Sequence, residues 1–342
     1  MRCRALVVPT AEAETARRRL RDAGWLQVGV GPRREGETIA FALTGDAQPL
    51  PGDGRVVELE FPSEERPPRQ YRELLRHLPP ASRNRLPRAF DVVGDVVLIR
   101  LPEELVPWKL DIGQALLAFV PGARQVGWDR GVHGAERRRT LEPIAGSGGF
   151  RTRCRENGLE LEVDLDRAYY SPRLASEHAR VAAEVNPGER VLDLCCGIGP
   201  FSLTIARDGR AREVVSVDIN PDAIELLRKN AERLGLSRRI RPIVGDVASF
   251  PADPEPAERA ILNLPHEGIK YLASVGNRVG PAGTLHYYEI MERTDQPARP
   301  AALASFLSPS GAWTVRSLRV VHPYSPSSDL VSVSLTRSPE GA

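Results

Sequence analysis

The segment VLDLCCGIGPFS, residues 191–202, runs from an apolar strand through two glycines into the start of a helix. A turn of this kind brings bare backbone and helix-start N–H groups close to a ligand. Gly197 and Gly199 supply the turn, but Ser202 stands where the third glycine of a dinucleotide fingerprint would be. A GxG alone is weak, because tight helix–strand packing in many α/β proteins produces it too. Outward from it, strands read at RVLDLCC, EVVSVDI, IRPIVGD, ERAILNLP and TLHYYEI, with helices at PFSLTIARD, PDAIELLRKNAERLG and IKYLASVGNRV. Strictly alternating strands and helices predict a doubly wound, mostly parallel sheet covered on both faces, a Rossmann-like domain over residues 150–342.

Upstream, the pattern predicts two smaller α/β domains. Residues 1–62 open with the strand RALVVP, then a helix from about Ala11 to Ala23 with Thr10 as N-cap, then short strands ending in IAFALT. Proline and charge crowd FPSEERPPRQ, which marks a linker over residues 63–81. A middle domain, residues 82–149, begins with FDVVGDVVLIRLP turning at Gly94, continues with a helix at DIGQALLAFV and ends in the arginine-rich GVHGAERRRTLEPIAG.

A chain of 342 residues supports such a division. The net charge of +2 confines any nucleic-acid surface to a local patch. Arginine carries nearly all the positive charge, the only lysines being Lys109, Lys229 and Lys270, and its planar fork suits phosphates and bases. The four cysteines, Cys3, Cys154, Cys195 and Cys196, have neither zinc-site spacing nor the density of a secreted disulfide scaffold, so reduced thiols and no metal are expected. No signal peptide or membrane-length apolar run is visible, which predicts a cytoplasmic protein without membrane attachment. Nothing in the sequence demands more than a monomer.

Three carboxylates, Asp193, Asp218 and Asp246, end three successive predicted strands. Asp218 lies about 20 residues past the glycine loop, where a carboxylate accepts both hydrogens of a ribose diol; Asp246 would neighbour an adenine amino group. Helix capping explains a single such residue, and Asn220 before PDAIELL fits that simpler reading, but it explains three less well. An adenosine-containing ligand follows. DLCCGIGPFS and VDINPDA resemble the first two motifs of class I S-adenosylmethionine methyltransferases. That resemblance implies a cofactor set of Asp193, Gly197, Gly199, Phe201, Asp218, Ile219, Asp246 and Asn263, with Cys195 and Cys196 as small loop-packing residues.

The fourth predicted strand ends in NLPH, residues 263–266, where amino-group methyltransferases usually carry an aromatic-ended NPPY or DPPY. NLPH instead resembles the archaeal and eukaryotic tRNA (guanine-37-N1)-methyltransferases. The resemblance extends to RENGLELEVDLDRAYYSPRLASEHAR, GVHGAERRRTLEPIAG, FDVVGDVVLIRLPEEL and the N-terminal domain, which is similar to the elbow-binding domain of archaeal members. It implies tRNA as partner, held at anticodon loop and elbow.

Guanine N1 carries a proton and is a poor nucleophile, so its methylation needs a base for that proton and a cation for charge moving onto O6. By motif register, Glu177 is the implied base and Arg137 the O6 partner. Asn263 and backbone near Pro265 would hold the guanine, and Tyr169 would position the extruded nucleotide, with Tyr170 able to exchange roles. Arg173, for phosphate or the cofactor carboxylate, and His266 complete the substrate set. Without the family, plainer readings exist: Glu177 on a helix face, and Arg137 beside Arg138 and Arg139 as a phosphate contact. Rival functions are a wyosine-pathway enzyme on the same scaffold, which would transfer an aminocarboxypropyl group or methylate a tricyclic guanine, and a non-catalytic tRNA-binding protein. NLPH argues against aminocarboxypropyl transfer, and the joint retention of Asp218, NLPH and Glu177 against a dead enzyme.

Overall fold

The computed structural model describes residues 2–27, 30–45, 47–48, 54–61, 68–249 and 255–339. The chain divides into two compact units, residues 1–70 and 71–342.

The smaller unit is an antiparallel sheet of β1 (Arg2–Pro9), β2 (Arg33–Glu35), β3 (Thr38–Ala42) and β4 (Arg55–Glu60), in the order β2-β3-β1-β4, with one helix, α1 (Ala13–Asp22). Leu20 and Ala13 of that helix bury against Leu6, Val8, Phe41 and Leu43. Thr10 is not the cap expected. It begins a 3-10 turn ahead of the helix, and its hydroxyl donates to the Glu37 carbonyl at 2.8 Å.

The 63–81 linker expectation does not hold toward its C-terminal end. Residues 63–67 lie outside the described residues, and Tyr71–Leu75 form a 3-10 turn whose Tyr71 and Leu75 are buried. With Leu78 and Leu86 beyond α2 (Pro80–Arg85), they join Ile99, Ile112, Leu116 and Val126 in the core of the middle sheet. An apolar side chain every three or four residues in 71–86 supplied enough buried area to fold this stretch despite its prolines and charge.

The middle sheet runs β5 (Asp91–Val93), β6 (Val96–Ile99), β7 (Gln125–His133), β8 (Arg138–Gly146), with α3 (Lys109–Phe119) connecting the parallel pair β6 and β7. The arginine-rich segment is therefore a hairpin, and Arg137 sits in its turn with φ +51.

A two-stranded sheet, β9 (Arg151–Glu156) and β10 (Leu159–Asp164), and helix α4 (Ala175–Glu184) precede the main sheet. Its seven strands are β11 (Arg190–Leu194), β12 (Glu213–Asp218), β13 (Ile240–Val244), β14 (Ala257–Leu262), β15 (Val279–Glu292), β16 (Trp313–Pro323) and β17 (Ser328–Arg337). They lie in the order β13-β12-β11-β14-β15-β17-β16, the first five parallel and the last two antiparallel to their neighbours. The helices between them are α5 (Pro200–Asp208), α6 (Pro221–Arg233), α7 (Leu272–Gly276) and α8 (Arg299–Leu307).

The two-residue period of the strands builds a core on each face. Val191, Val214 and Ile261 pack with α4, α5 and α6, whereas Leu192, Val215 and Leu262 pack with α7 and α8. Five of the strands were expected and β16, β17 and α8 were not; TVRSLRVVHP of β16 alternates only weakly. The third predicted helix shrinks to Leu272–Gly276 after a 3-10 turn at Gly268–Lys270. No helix among the described residues is long and apolar enough to cross a membrane.

Candidate active site

Parallel strands β11, β12, β13 and β14 all end at one edge of the sheet, and there a cavity of about 830 Å³ opens, the volume of a sizeable ligand site. Its wall begins at the glycine loop. Gly197 has φ +56, and its N–H donates to Asp218 Oδ2 at 2.7 Å; the N–H of Asn220 donates to Oδ1 at 2.9 Å. The Asp218 carboxylate is thus aimed into the cavity with lone pairs left over. Burial raises its pKa, and these two donors pull it back. Asn220 also caps α6, accepting from Asp222 N at 3.0 Å. Ile219, 40% exposed, presents an apolar face beside it, and Asp246, Phe201 and Asn263 line the same space.

This donor set fits the adenosine half of S-adenosylmethionine. A fixed carboxylate suits the ribose diol, an apolar side chain suits the adenine ring, and Gly197 leaves open the space that a side chain would occupy.

Two expected cofactor residues do other work. Asp193 is fully buried and does not line the cavity: its Oδ2 accepts from Ser202 Oγ at 2.5 Å and Ser202 N at 3.2 Å, while Oδ1 has no partner. Burial, opposed by Ser202 and by His178, pushes this carboxyl up to about 6. It props the glycine loop from beneath. Gly199, φ +79, also stays out of the lining; it caps α5, and a Cβ there would meet Leu227 Cδ1 at 2.3 Å. It is there for helix packing, the bland reading of a GxG.

Beside the glycine loop the chain after β10 delivers Tyr169, whose carbonyl lies 3.5 Å from where a Cβ on Gly197 would be, and the hairpin turn delivers Arg137 to the same cavity. Two guanidiniums stand over the Tyr169 ring, Arg137 at 5.6 Å and Arg139 at 4.9 Å from its centroid. Arg139 is buried and ion-paired to Asp129, so it is a fixed support, whereas Arg137 is half-exposed in the cavity. At the end of β14, Asn263, Leu264, Pro265 and His266 line the cavity. The Leu264 carbonyl accepts from Gly268 N at 2.7 Å and the Pro265 carbonyl from Ile290 N at 3.3 Å, which holds the turn. Burial, and then the nearby Arg137, lower the pKa of His266.

The structure does not bring Glu177 into this group. Its side chain is 1% exposed and absent from the lining. Arg180 donates to both oxygens at 2.6 and 2.9 Å, Tyr288 adds its hydroxyl at 2.8 Å, and Arg319 stands 3.6 Å away. Burial raises this carboxyl's pKa, but these partners outweigh it and hold the group below its ordinary range. Helical geometry turns Glu177 away while its neighbour His178 lines the cavity, with Nδ1 2.5 Å from Glu156 Oε1 and its ring edge-on to Phe201. Tyr170, offered as an alternative to Tyr169, instead gives its hydroxyl to Glu156 at 2.7 Å. Arg173 also lies elsewhere, half-exposed and ion-paired to Asp91 at 2.7 Å.

Sequence reasoning missed His178, Glu136, Tyr271, His322 and Tyr324, all in the lining. A histidine at position 178, four residues after Leu174 on the buried stripe of α4, was a legible signal; His322 and Tyr324 were hidden with the undetected hairpin.

A glycine loop after the central strand, an acidic residue ending the next strand and a cavity at the carboxyl edge of a sheet ordered in this way define a class I S-adenosylmethionine-dependent methyltransferase. Residues 152–306 match the TRM5/TYW2 methyltransferase domain, and residues 71–149 match the TYW2 N-terminal domain. The chain is 36% identical over 286 residues to the tRNA (guanine(37)-N(1))-methyltransferase Trm5b of Pyrococcus abyssi, covering 83% of each. It superposes on the crystal structure of wild-type Trm5b from Pyrococcus abyssi with a TM-score of 0.78, covering 98% of this chain and 99% of that one at 32% identity. A solved complex of aTrm5 with tRNALeu gives a TM-score of 0.76 at 26% identity, again with 98% and 99% covered. This chain belongs to the TRM5/TYW2 methyltransferase family, and S-adenosylmethionine is its cofactor.

Proposed function

We propose that this enzyme methylates N1 of guanosine 37 in tRNA. The observation that carries the reading is the convergence of Arg137, Tyr169 and the NLPH turn in the lining of the cofactor cavity. S-adenosylmethionine supplies an electrophilic methyl group on a sulfonium. The residues of the chain do the rest. Asn263, whose amide has no partner among the described residues, meets the polar edge of the guanine. Arg137 donates to O6 as charge develops there, in a site where few waters compete. The Tyr169 ring, in contact with the Arg137 and Arg139 guanidiniums, supports the extruded base.

The N1 proton goes to Glu177 in a conformation where the carboxylate turns from Arg180 toward the space that His178 lines. Arg180 also pairs with Glu184, so it keeps an anionic partner when Glu177 leaves. Guanine-37 methylation, rather than modification of a tricyclic derivative, agrees with the names of the relatives matched over most of the chain. We read residues 1–70 as the module that meets the tRNA elbow and residues 71–342 as the part that takes the anticodon loop, in a monomeric cytoplasmic enzyme. Incubation with labelled cofactor and an unmodified tRNA transcript, followed by nucleoside mapping, should yield N1-methylguanosine at position 37. Replacing guanosine 37 should abolish it, and label elsewhere would reject the reading.

A further inference from the structure

The mouth of the cavity carries an aromatic pair that the chemistry at Asn263 and Arg137 leaves unused. His266 ends the turn after β14, and Tyr324 belongs to the turn between β16 and β17. Their rings meet edge to face, with centroids 5.7 Å apart and planes at 72°, and both line the cavity. Tyr324 is nevertheless 51% exposed. Among the described residues, neither its hydroxyl nor the His266 imidazole has a hydrogen-bond partner.

The turn that presents Tyr324 is firmly built. The N–H groups of Tyr324 and Ser325 both donate to the Ser328 carbonyl at 3.0 Å, and Ser325 Oγ accepts from Ser328 N at 3.0 Å. Asp329, paired across the hairpin with Pro323, is gripped by Arg293 at 2.9 and 3.0 Å. A large ring held rigidly, half in solvent, at the entrance to a polar site has surface to offer a planar ligand. Burial and Arg137 keep His266 below its usual pKa, so near neutral pH it is a second uncharged ring rather than a cation.

The reaction creates the need for such a surface. To reach the cofactor, the target base must leave the stack of its loop, and the adjoining base loses its partner. Inside the cavity the target has Tyr169; the mouth is where its neighbour arrives. We propose that Tyr324, braced by His266, stacks the nucleobase adjoining the target guanine and so holds the loop in its opened form. The inference rests on the functional reading above and makes Tyr324 a positioning residue that a single-stranded loop nucleotide covers.

The test uses the full chain and an unmodified tRNA transcript, with 2-aminopurine placed on either side of position 37 in separate substrates. Loss of one base–aromatic stack is worth about 1–3 kcal/mol, so Tyr324→Ala should raise the tRNA KM roughly 5- to 150-fold. It should also remove the fluorescence change on binding at one of the two flanking positions, with S-adenosylmethionine affinity unchanged. Tyr324→Phe, which keeps the ring, should restore both. Wild-type affinity and an unaltered fluorescence response in Tyr324→Ala would overturn the proposal, as would a Phe variant as weak as the Ala variant. Wild-type enzyme that fails to methylate position 37 would instead reject the functional reading, so the two failures are distinguishable.

Discussion

At the level of single residues, the site depends on which polar groups are free and which are already committed. Asp218 has two backbone donors but no side-chain cation, so its remaining lone pairs are available to a diol. Asp218→Ala should therefore weaken S-adenosylmethionine binding by about 10- to 100-fold in calorimetry, with the fold intact. Glu177 is the opposite case, clamped by Arg180 and Tyr288. Glu177→Gln should retain cofactor and tRNA binding but lose about 10²- to 10⁴-fold in single-turnover methylation. A near-normal rate, together with a lowered melting temperature, would reduce Glu177 to an ion-pair anchor. Asp193 makes a pH-dependent prediction. Its carboxyl, at about 6 in the fold against about 3.9 in an unfolded chain, binds its proton more tightly when folded. Its contribution to stability is fully present below the unfolded pKa and is lost as pH rises through about 6. Asp193→Asn should thus raise stability by on the order of 1–3 kcal/mol at pH 8 and by little at pH 4, read from urea midpoints at both pH values.

At the level of elements, the geometry of the cofactor loop is set by how closely α5 and α6 pack behind it. Gly199 caps α5 in the left-handed region with Leu227 of α6 directly against it. Gly199→Ala should destabilise the protein by about 2 kcal/mol or more, combining left-handed strain with an overpacked contact. Adding Leu227→Ala should relieve the contact and leave the strain, so the double variant should be more stable than the sum of the single effects implies. An additive pair in denaturant unfolding would show that packing behind the loop is looser than the structure has it. The β7–β8 hairpin shows the same dependence of site on element. Its turn puts Arg137 in the cavity and points Arg138 at Glu136 and Asp222, so of three consecutive arginines only one meets the substrate space while the others hold the hairpin.

At the scale of the whole molecule, the unit that begins at Tyr71 has hydrophobic cores of its own. Among the described residues, none before Tyr71 belongs to the clusters that build the middle and main sheets. Deleting residues 1–70 should leave a fragment that unfolds cooperatively and binds S-adenosylmethionine with unchanged affinity. The same fragment should discriminate less between folded and misfolded tRNA, because a tethered recognition module adds its contacts at high effective concentration. Competition assays with folded and heat-collapsed transcripts would measure this. A fragment that fails to fold would show that the first 70 residues stabilise the rest.

Local patterns were enough for much of this protein. The order of strands from RVLDL to TLHYYEI, the glycine turn, the capping Asn220 and the NLPH turn are written in contiguous residues, because a buried parallel strand and the turn that ends it carry their own apolar run and their own glycine or proline. The place of Asp218 and Asp246 in the cavity lining was legible for the same reason, since both follow directly from where strands stop. Tertiary structure alone decided the rest. Whether Gly199 stands in the lining or against Leu227, whether Asp193 faces the cavity or Ser202, and whether the Glu177 carboxylate rests in the cavity or on Arg180 and Tyr288 depend on how helices pack on the sheet, which no short stretch of sequence states. Edge strand β16, largely exposed, has little alternation to read, whereas the buried LVSVSL of β17 alternates and was a missed signal; with the hairpin went Tyr324 and His322. A one-residue turn of α4 separates Glu177 from His178, and no property of either side chain states which of them the packing of Phe201 and Tyr288 admits to the cavity.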